Sequence, residues 1–243
     1  MAVFSRFEVI YEKLAQTSSL GELSELIREM RDAYGLAHLV YHAIYLPSAA
    51  EPNPIFLPTY ESNWVRRYTE RDYFRIDPIV ANGRNSFLPL DWADVDQAAP
   101  EVSRFFKEAS SYGVGRNGLT IPIRGPSGER ALFSITSNES AKSWQASKLG
   151  YMRDFQFIAP FLHDQAVRLA RLRLPDVKRQ LSPRESETLQ LTASGLSPKQ
   201  IAADLELSPT AVRLYLQSAR FKLECSTLSQ AIAKAVSLEI IDG

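Results

Sequence analysis

The chain has 243 residues, enough for one large domain or two smaller ones, and its 45% apolar and 23% charged content is that of a globular protein. Twenty-eight basic residues balance twenty-eight acidic ones, so global charge favours neither nucleic acid nor an acidic substrate. The single cysteine, Cys225, excludes an internal disulfide, and three scattered histidines give no metal-ligand spacing. No apolar run nears the ~18 residues of a membrane span, and the N-terminus lacks a signal peptide's apolar core. A soluble cytoplasmic protein with no metal, cofactor or membrane attachment is expected.

Residues 4–16 and 20–34 carry apolar side chains at helical spacing, among them Phe7, Ile10, Leu14, Leu23, Ile27 and Met30. After Gly35, His38–Leu46 is rich in strand formers; His38 and His42 fall on one face and read as polar positions beside a sheet. A Pro-rich turn leads to a short strand near residues 55–57. The segment from Tyr60 to Tyr68 reads as a helix, Pro78 opens another that ends near Gly83, and 101–112 a third. Residues 87–92 read as an edge strand, because Pro89 cannot donate to an interior ladder. Strands at 118–123 and 130–136 flank a Gly125–Gly128 turn, and a long helix runs from about Trp144 to Leu172. The pattern predicts an α+β domain over 1–172, an antiparallel sheet sandwiched by helices.

Residues 173–180 form a linker within the one concentrated basic stretch. Arg168, Arg171, Arg173, Lys178, Arg179 and Arg184 face only Asp176, which fits a solvated hinge and a phosphate-facing segment equally well. From 181 to 243 the sequence predicts an all-α domain of four helices at about 184–194, 198–205, 209–222 and 228–239. Ser182 with Glu185, Ser197 with Gln200 and Thr227 with Gln230 have capping-box spacing, Ser208-Pro209 is a further cap, and Gly195 suits a helix C-terminus. The short connection through Glu206 to Ser208 is that of a helix-turn-helix. On the third helix Val212, Leu216, Ala219 and Leu223 form a buried stripe. Arg213, Gln217 and Arg220 repeat that spacing one residue later, with side chains suited to guanine and adenine edges, and Thr210 suits phosphate at the N-terminal end. Against strong non-specific DNA binding, residues 176–243 hold eight basic and eight acidic residues. DNA remains the favoured partner over a plain helical packing module.

The segment most suggestive of a small-molecule site is Tyr60-Glu-Ser-Asn-Trp64-Val-Arg-Arg-Tyr68, followed by Asp77-Pro78. At four-residue spacing on a helix the three rings drift only roughly 40° per step, giving one stripe of apolar bodies with polar tips. Asp77 adds an acceptor-only carboxylate that also suits a helix N-cap. By themselves these residues fit an ordinary core stripe as well.

Taken together, the chain resembles the LuxR family, acyl-homoserine-lactone-responsive transcription factors of bacterial quorum sensing. In the C-terminal part the resemblance rests on Leu181–Glu185, Leu189, Gly195, Ile201-Ala202, Ala211-Val212 and Lys222-Leu223. In the N-terminal part it rests on Trp64 and Tyr68, Asp77-Pro78, Trp92 and Gly118. The resemblance implies that Trp64 donates to the lactone carbonyl, Asp77 accepts from the ligand amide, and Tyr60, helped by Ser134, donates to the amide carbonyl. It further implies that Trp92 packs on the lactone ring, with Tyr68, Phe105 and Phe106 as candidates for the acyl pocket. The partners it implies are the lactone, a second copy of the chain, palindromic promoter DNA contacted by the third helix, and RNA polymerase. This chain departs from many relatives in its outward stripe, which reads Arg213, Tyr215, Gln217, Arg220, and Ser134 falls where the family varies. The competing reading is a regulator of the same fold with no ligand or a different one. An enzyme is disfavoured, since no Ser-His-Asp arrangement, zinc spacing or phosphate loop accompanies Asp77.

Overall fold

The computed structural model describes residues 6–173 and 181–242. They form two compact units, divided after Arg173.

The first unit is built on a five-stranded antiparallel sheet of order β2-β1-β5-β4-β3, with β1 His38–Tyr45, β2 Ile55–Pro58, β3 Leu90–Asp91, β4 Asn117–Arg124 and β5 Arg130–Ser137. Successive side chains on a strand point to opposite faces, and here both faces are covered, which explains the almost unbroken burial of β1 and β5. One face presents Leu39, Tyr41, Ala43, Leu119, Phe133 and Ile135 to a core shared with helices α1 (Arg6–Gln16), α2 (Leu20–Tyr34) and α6 (Ala141–Leu169). The other face presents Val40, His42, Thr120, Leu132 and Ser134. It lies under α3 (Ser62–Glu70), α4 (Pro78–Asn85) and α5 (Pro100–Ser111).

Two local expectations need correction. Tyr60 is not on a helix: β2 ends at Pro58, Glu61 caps α3, and Tyr60 lies in the connection between them. The strand expected over 87–92 shrinks to the two residues of β3, paired as Leu90↔Thr120 and Asp91↔Leu119. Pro89 removes a donor just before it, and the side chains of Phe87 and Leu88 stay outside, at 80% and 68% exposure.

Three residues of the basic stretch are engaged within the protein. Arg173 pairs with Asp164 and with Glu129, which is buried and hydrogen-bonded to His163, itself bonded to Tyr41 of β1. Arg168 donates to Gln165, and Arg184 pairs with Glu187. Lys178 and Arg179, with the rest of the linker over 174–180, lie outside the described residues.

The second unit comprises α7 (Pro183–Ala193), α8 (Pro198–Asp204), α9 (Pro209–Lys222) and α10 (Leu228–Ser237). Its caps follow from the sequence: all three capping boxes are complete, and the Ser208 hydroxyl accepts from the N–H of Ala211. Gly195 sits at φ 89°, the left-handed conformation expected after a helix. Val212, Leu216, Ala219 and Leu223 are buried against Leu189, Ile201 and Ala231. Glu185 does more than cap. Burial pushes its carboxyl pKa up, but Lys222 at 2.8 Å, the Ser218 hydroxyl and the Ser182 N–H outweigh that and hold it near 2.

Candidate ligand pocket and nucleic-acid interface

Between the second sheet face and α3–α5 lies a cavity of about 50 Å³. Every N-terminal residue singled out from the sequence borders it: Tyr60, Trp64, Tyr68, Asp77, Trp92, Phe105, Phe106 and Ser134. Residues 74 positions apart in the chain thus meet in one space.

Helix α3 carries Trp64 and Tyr68 on the face it turns inward, and both rings are buried. Trp64 is 2% exposed, yet its indole N–H has no partner among the described residues. The only sealed side-chain polar atom without a partner among those residues is Thr136 Oγ1, so the Trp64 N–H borders open space rather than packed atoms. The Tyr60 hydroxyl is in the same position. Burial and the nearby Asp77 charge push the Tyr60 phenol far above its ordinary pKa, so it stays a donor.

Asp77 caps α4 by accepting from the N–H of Ile79 at 2.7 Å, and its other oxygen accepts from the Tyr68 hydroxyl at 2.7 Å. Burial raises its pKa to about 6, although Tyr68 and the N–H groups of Ile79 and Val80 pull the other way. At neutral pH it is therefore a carboxylate held in a poor solvent, with lone pairs left for another donor. Tyr68 thus orients the carboxylate as well as lining the wall.

Trp92 is seated by backbone shape. A Cβ added at Gly118 would lie 2.1 Å from Trp92 Cδ2, so only glycine lets the indole lie flat on β4. The Trp92 N–H donates to Thr120 Oγ1 at 2.9 Å, and Thr120 Oγ1 is 2.8 Å from Ser134 Oγ. Thr120 Oγ1 has a second lone pair beside the one that accepts from Trp92, so either hydroxyl of the Thr120–Ser134 pair can donate, and Ser134 is free to donate into the cavity when Thr120 supplies the hydrogen. Trp92 and Phe106 also wall the cavity off from a neighbouring space of about 440 Å³ lined by Gln97, Arg116 and Trp144.

Sequence reasoning missed part of this lining. His42 is 4% exposed and borders the cavity, with its ring packed against Phe56 and Phe74, instead of lying beside the sheet as a polar fringe. Phe56, Ile79, Val80 and Leu132 supply an apolar wall around it. Alternation along β1 places Val40 and His42 on one face, but only the packing of α3 and α4 shows that face to be covered.

On α9, Thr210, Arg213 and Gln217 are exposed and without side-chain partners among the described residues. Arg220 departs from the predicted stripe: it is half-buried, and its guanidinium reaches the Ser226 carbonyl at 3.4 Å. Tyr215 is half-buried as well. Leu214 and Phe221, not anticipated, are 61% and 83% exposed.

Comparison with known proteins now decides the family. Residues 19–166 match the autoinducer binding domain, and residues 179–235 match the bacterial regulatory proteins of the luxR family. The chain belongs to the LuxR family of quorum-sensing transcription regulators. LuxR-family proteins are regulators of transcription and not enzymes, and the chain carries the family's autoinducer-binding and DNA-binding domains. It is 47% identical over 188 residues to the transcriptional activator protein RaiR of Rhizobium etli, covering 77% of each chain. It is 30% identical over 193 residues to VjbR of Brucella abortus, a quorum sensing-dependent transcriptional regulator, covering 76% of this chain and 73% of that one. The Escherichia coli SdiA crystal structure shares this LuxR fold at a TM-score of 0.70, with 18% identity and coverage of 98% and 99%. No helix among the described residues is long and apolar enough to cross a membrane.

Proposed function

We propose that the autoinducer is an acyl-homoserine lactone and that the liganded protein binds palindromic promoter DNA as a homodimer in the cytoplasm. The observation that carries this reading is the polar inventory of the cavity. Trp64 and Tyr60 offer two unpaired donors, and the Asp77 carboxylate offers one acceptor. A lactone carbonyl, an amide carbonyl and an amide N–H are the matching set. In this assignment Trp64 donates to the lactone carbonyl, Tyr60 and Ser134 to the amide carbonyl, and Asp77 accepts from the amide. Trp92 and Phe106 face the ring, while Tyr68, Phe56 and Val80 lie toward the acyl chain.

Ligand pockets run to about 300–1,000 Å³, so a lactone enters by displacing part of the aromatic wall. Trp92 and Phe106 are the natural part to yield, since the 440 Å³ space lies behind them. On DNA, a two-fold dimer sets two α9 helices one helical turn apart, their exposed residues Thr210, Arg213 and Gln217 toward the bases and phosphates. RNA polymerase is then the partner at the promoter.

A second reading keeps the fold and changes the ligand, because one solved SdiA structure is in complex with octanoyl-rac-glycerol. The test of both is thermal melting of the purified protein with a panel of acyl-homoserine lactones and acylglycerols. A ligand at a hundred times its Kd adds about 2.7 kcal/mol when it binds only the folded state. A shift with lactones alone supports the first reading. A shift with acylglycerols alone replaces it with the second.

A further inference from the structure

We propose that His42 makes this pocket prefer lactones whose acyl chain carries a hydroxyl group near the amide, the imidazole accepting that hydroxyl's hydrogen. The inference rests on the lactone reading above. It starts from the one polar side chain in the cavity that a plain acyl-homoserine lactone leaves without a role.

The geometry fixes which ring nitrogen is the acceptor. His42 Nε2 lies 2.9 Å from Asn53 Oδ1, an oxygen that can only accept, so Nε2 carries the proton. Burial lowers the pKa of the ring to about 4, outweighing the bond to Asn53, and at neutral pH the ring holds that one proton only. Nδ1 is therefore a bare lone pair. It has no partner among the described residues, and it is not a sealed atom as Thr136 Oγ1 is, so it borders open space. The ring belongs to a residue 4% exposed on the cavity wall, and it packs on Phe56 at 5.3 Å and Phe74 at 5.1 Å, which also touch each other.

Register places His42 along the chain of the ligand. Val40 pairs with Ser134 across β1 and β5, and His42 pairs with Leu132, two residues further on. That is roughly 7 Å along the strand, toward the apolar side of the cavity where Phe56, Val80 and Leu132 lie. An amide carbonyl held at Ser134 therefore sets the first carbons of the acyl chain beside His42. A hydroxyl there gives the lone pair a donor. An oxo group there brings a second acceptor against it, and an unsubstituted chain leaves it unpaired, which is unfavourable in a closed site.

The test is binding of three lactones of one acyl length, bearing a 3-hydroxyl, a 3-oxo or no substituent, to wild type and His42→Leu. Wild type is expected to bind the hydroxyl compound about fivefold more tightly than either of the others, the worth of one net hydrogen bond. His42→Leu, shown by melting to be folded, is expected to bind all three within about twofold of one another. Equal binding of the three by wild type overturns the proposal, whether or not the variant folds. A hydroxyl preference that survives in folded His42→Leu overturns it too. Absence of binding by every lactone overturns the lactone reading and this inference with it, an outcome distinct from lactones that bind without preference.

Discussion

Replacing Asp77 by asparagine separates the ligand's demand for a carboxylate from the fold's. Folding raises the pKa of Asp77 from 3.8 to about 6, so holding it ionised at neutral pH costs up to roughly 3 kcal/mol. The folded state therefore binds more protons than the unfolded one between those two values. Stability from this group is greatest at low pH and is lost as pH rises through about 4 to 6. Asparagine is as good an N-cap as aspartate, and its oxygen can still accept from the Ile79 N–H. The Tyr68 hydroxyl, which now donates to Asp77, can rotate to accept from the new amide. The unliganded variant should therefore melt at or above the wild-type temperature at pH 7, with the advantage vanishing at pH 4. Lactone binding should move the opposite way, because the ligand N–H then meets an N–H₂ group. A loss of at least about 2 kcal/mol, roughly thirtyfold in Kd, is expected. The assay is melting across pH together with ligand titration. The reasoning is refuted by wild-type lactone affinity in the variant, or by melting profiles that run parallel across pH.

Gly118→Ala should push Trp92 off β4 and away from Thr120; overpacking of this kind costs about 1–3 kcal/mol, visible as a lower Tm and weaker lactone binding. Glu185→Gln should destabilise the C-terminal unit by roughly 1.5–3 kcal/mol, the worth of bonds to a charged group. Because the pKa of Glu185 is held near 2, that stabilisation is present above about 4.5 and lost as pH falls toward 2. Melting of the full chain should therefore converge for wild type and variant in acid and diverge at neutral pH. Gln217→Ala, tested on DNA that the wild type selects from a random pool, should weaken binding by about 1–3 kcal/mol while leaving the salt dependence unchanged. Thr210→Val should weaken binding to all sequences alike.

Most helices were legible because their ends are written in the sequence. Serine or threonine caps, proline at the first turn and glycine at Gly195 fix boundaries independently of tertiary packing. What could not be read depends on neighbours distant in sequence. Four-residue spacing suggests a helix through Tyr60, yet β2 and its Pro58 end too close for one, and the ring reaches the cavity from the connection instead. His42 looks peripheral until β1 is known to lie under α3 and α4 as well as α2 and α6. On α9 the polar spacing was right but its centre was not. At roughly 100° per residue, Thr210, Leu214, Gln217 and Phe221 cluster at the middle of the exposed sector. Arg220 falls at its edge beside the buried stripe, where it turns to the Ser226 carbonyl. Trp92 and Gly118 stood out by resemblance alone, and the contact between them gives the reason for a glycine at 118.

The two faces of the central sheet answer to different physical constraints. Leu39, Tyr41, Phe133 and Ile135 anchor a dry core, whereas Val40, His42, Leu132 and Ser134 are interleaved with them and turn to the cavity. Substitution at the second set should reshape the cavity while leaving the scaffold's core contacts in place. A single-residue insertion within β1 or β5 has no such freedom, because it exchanges the two sets and sacrifices scaffold and pocket together.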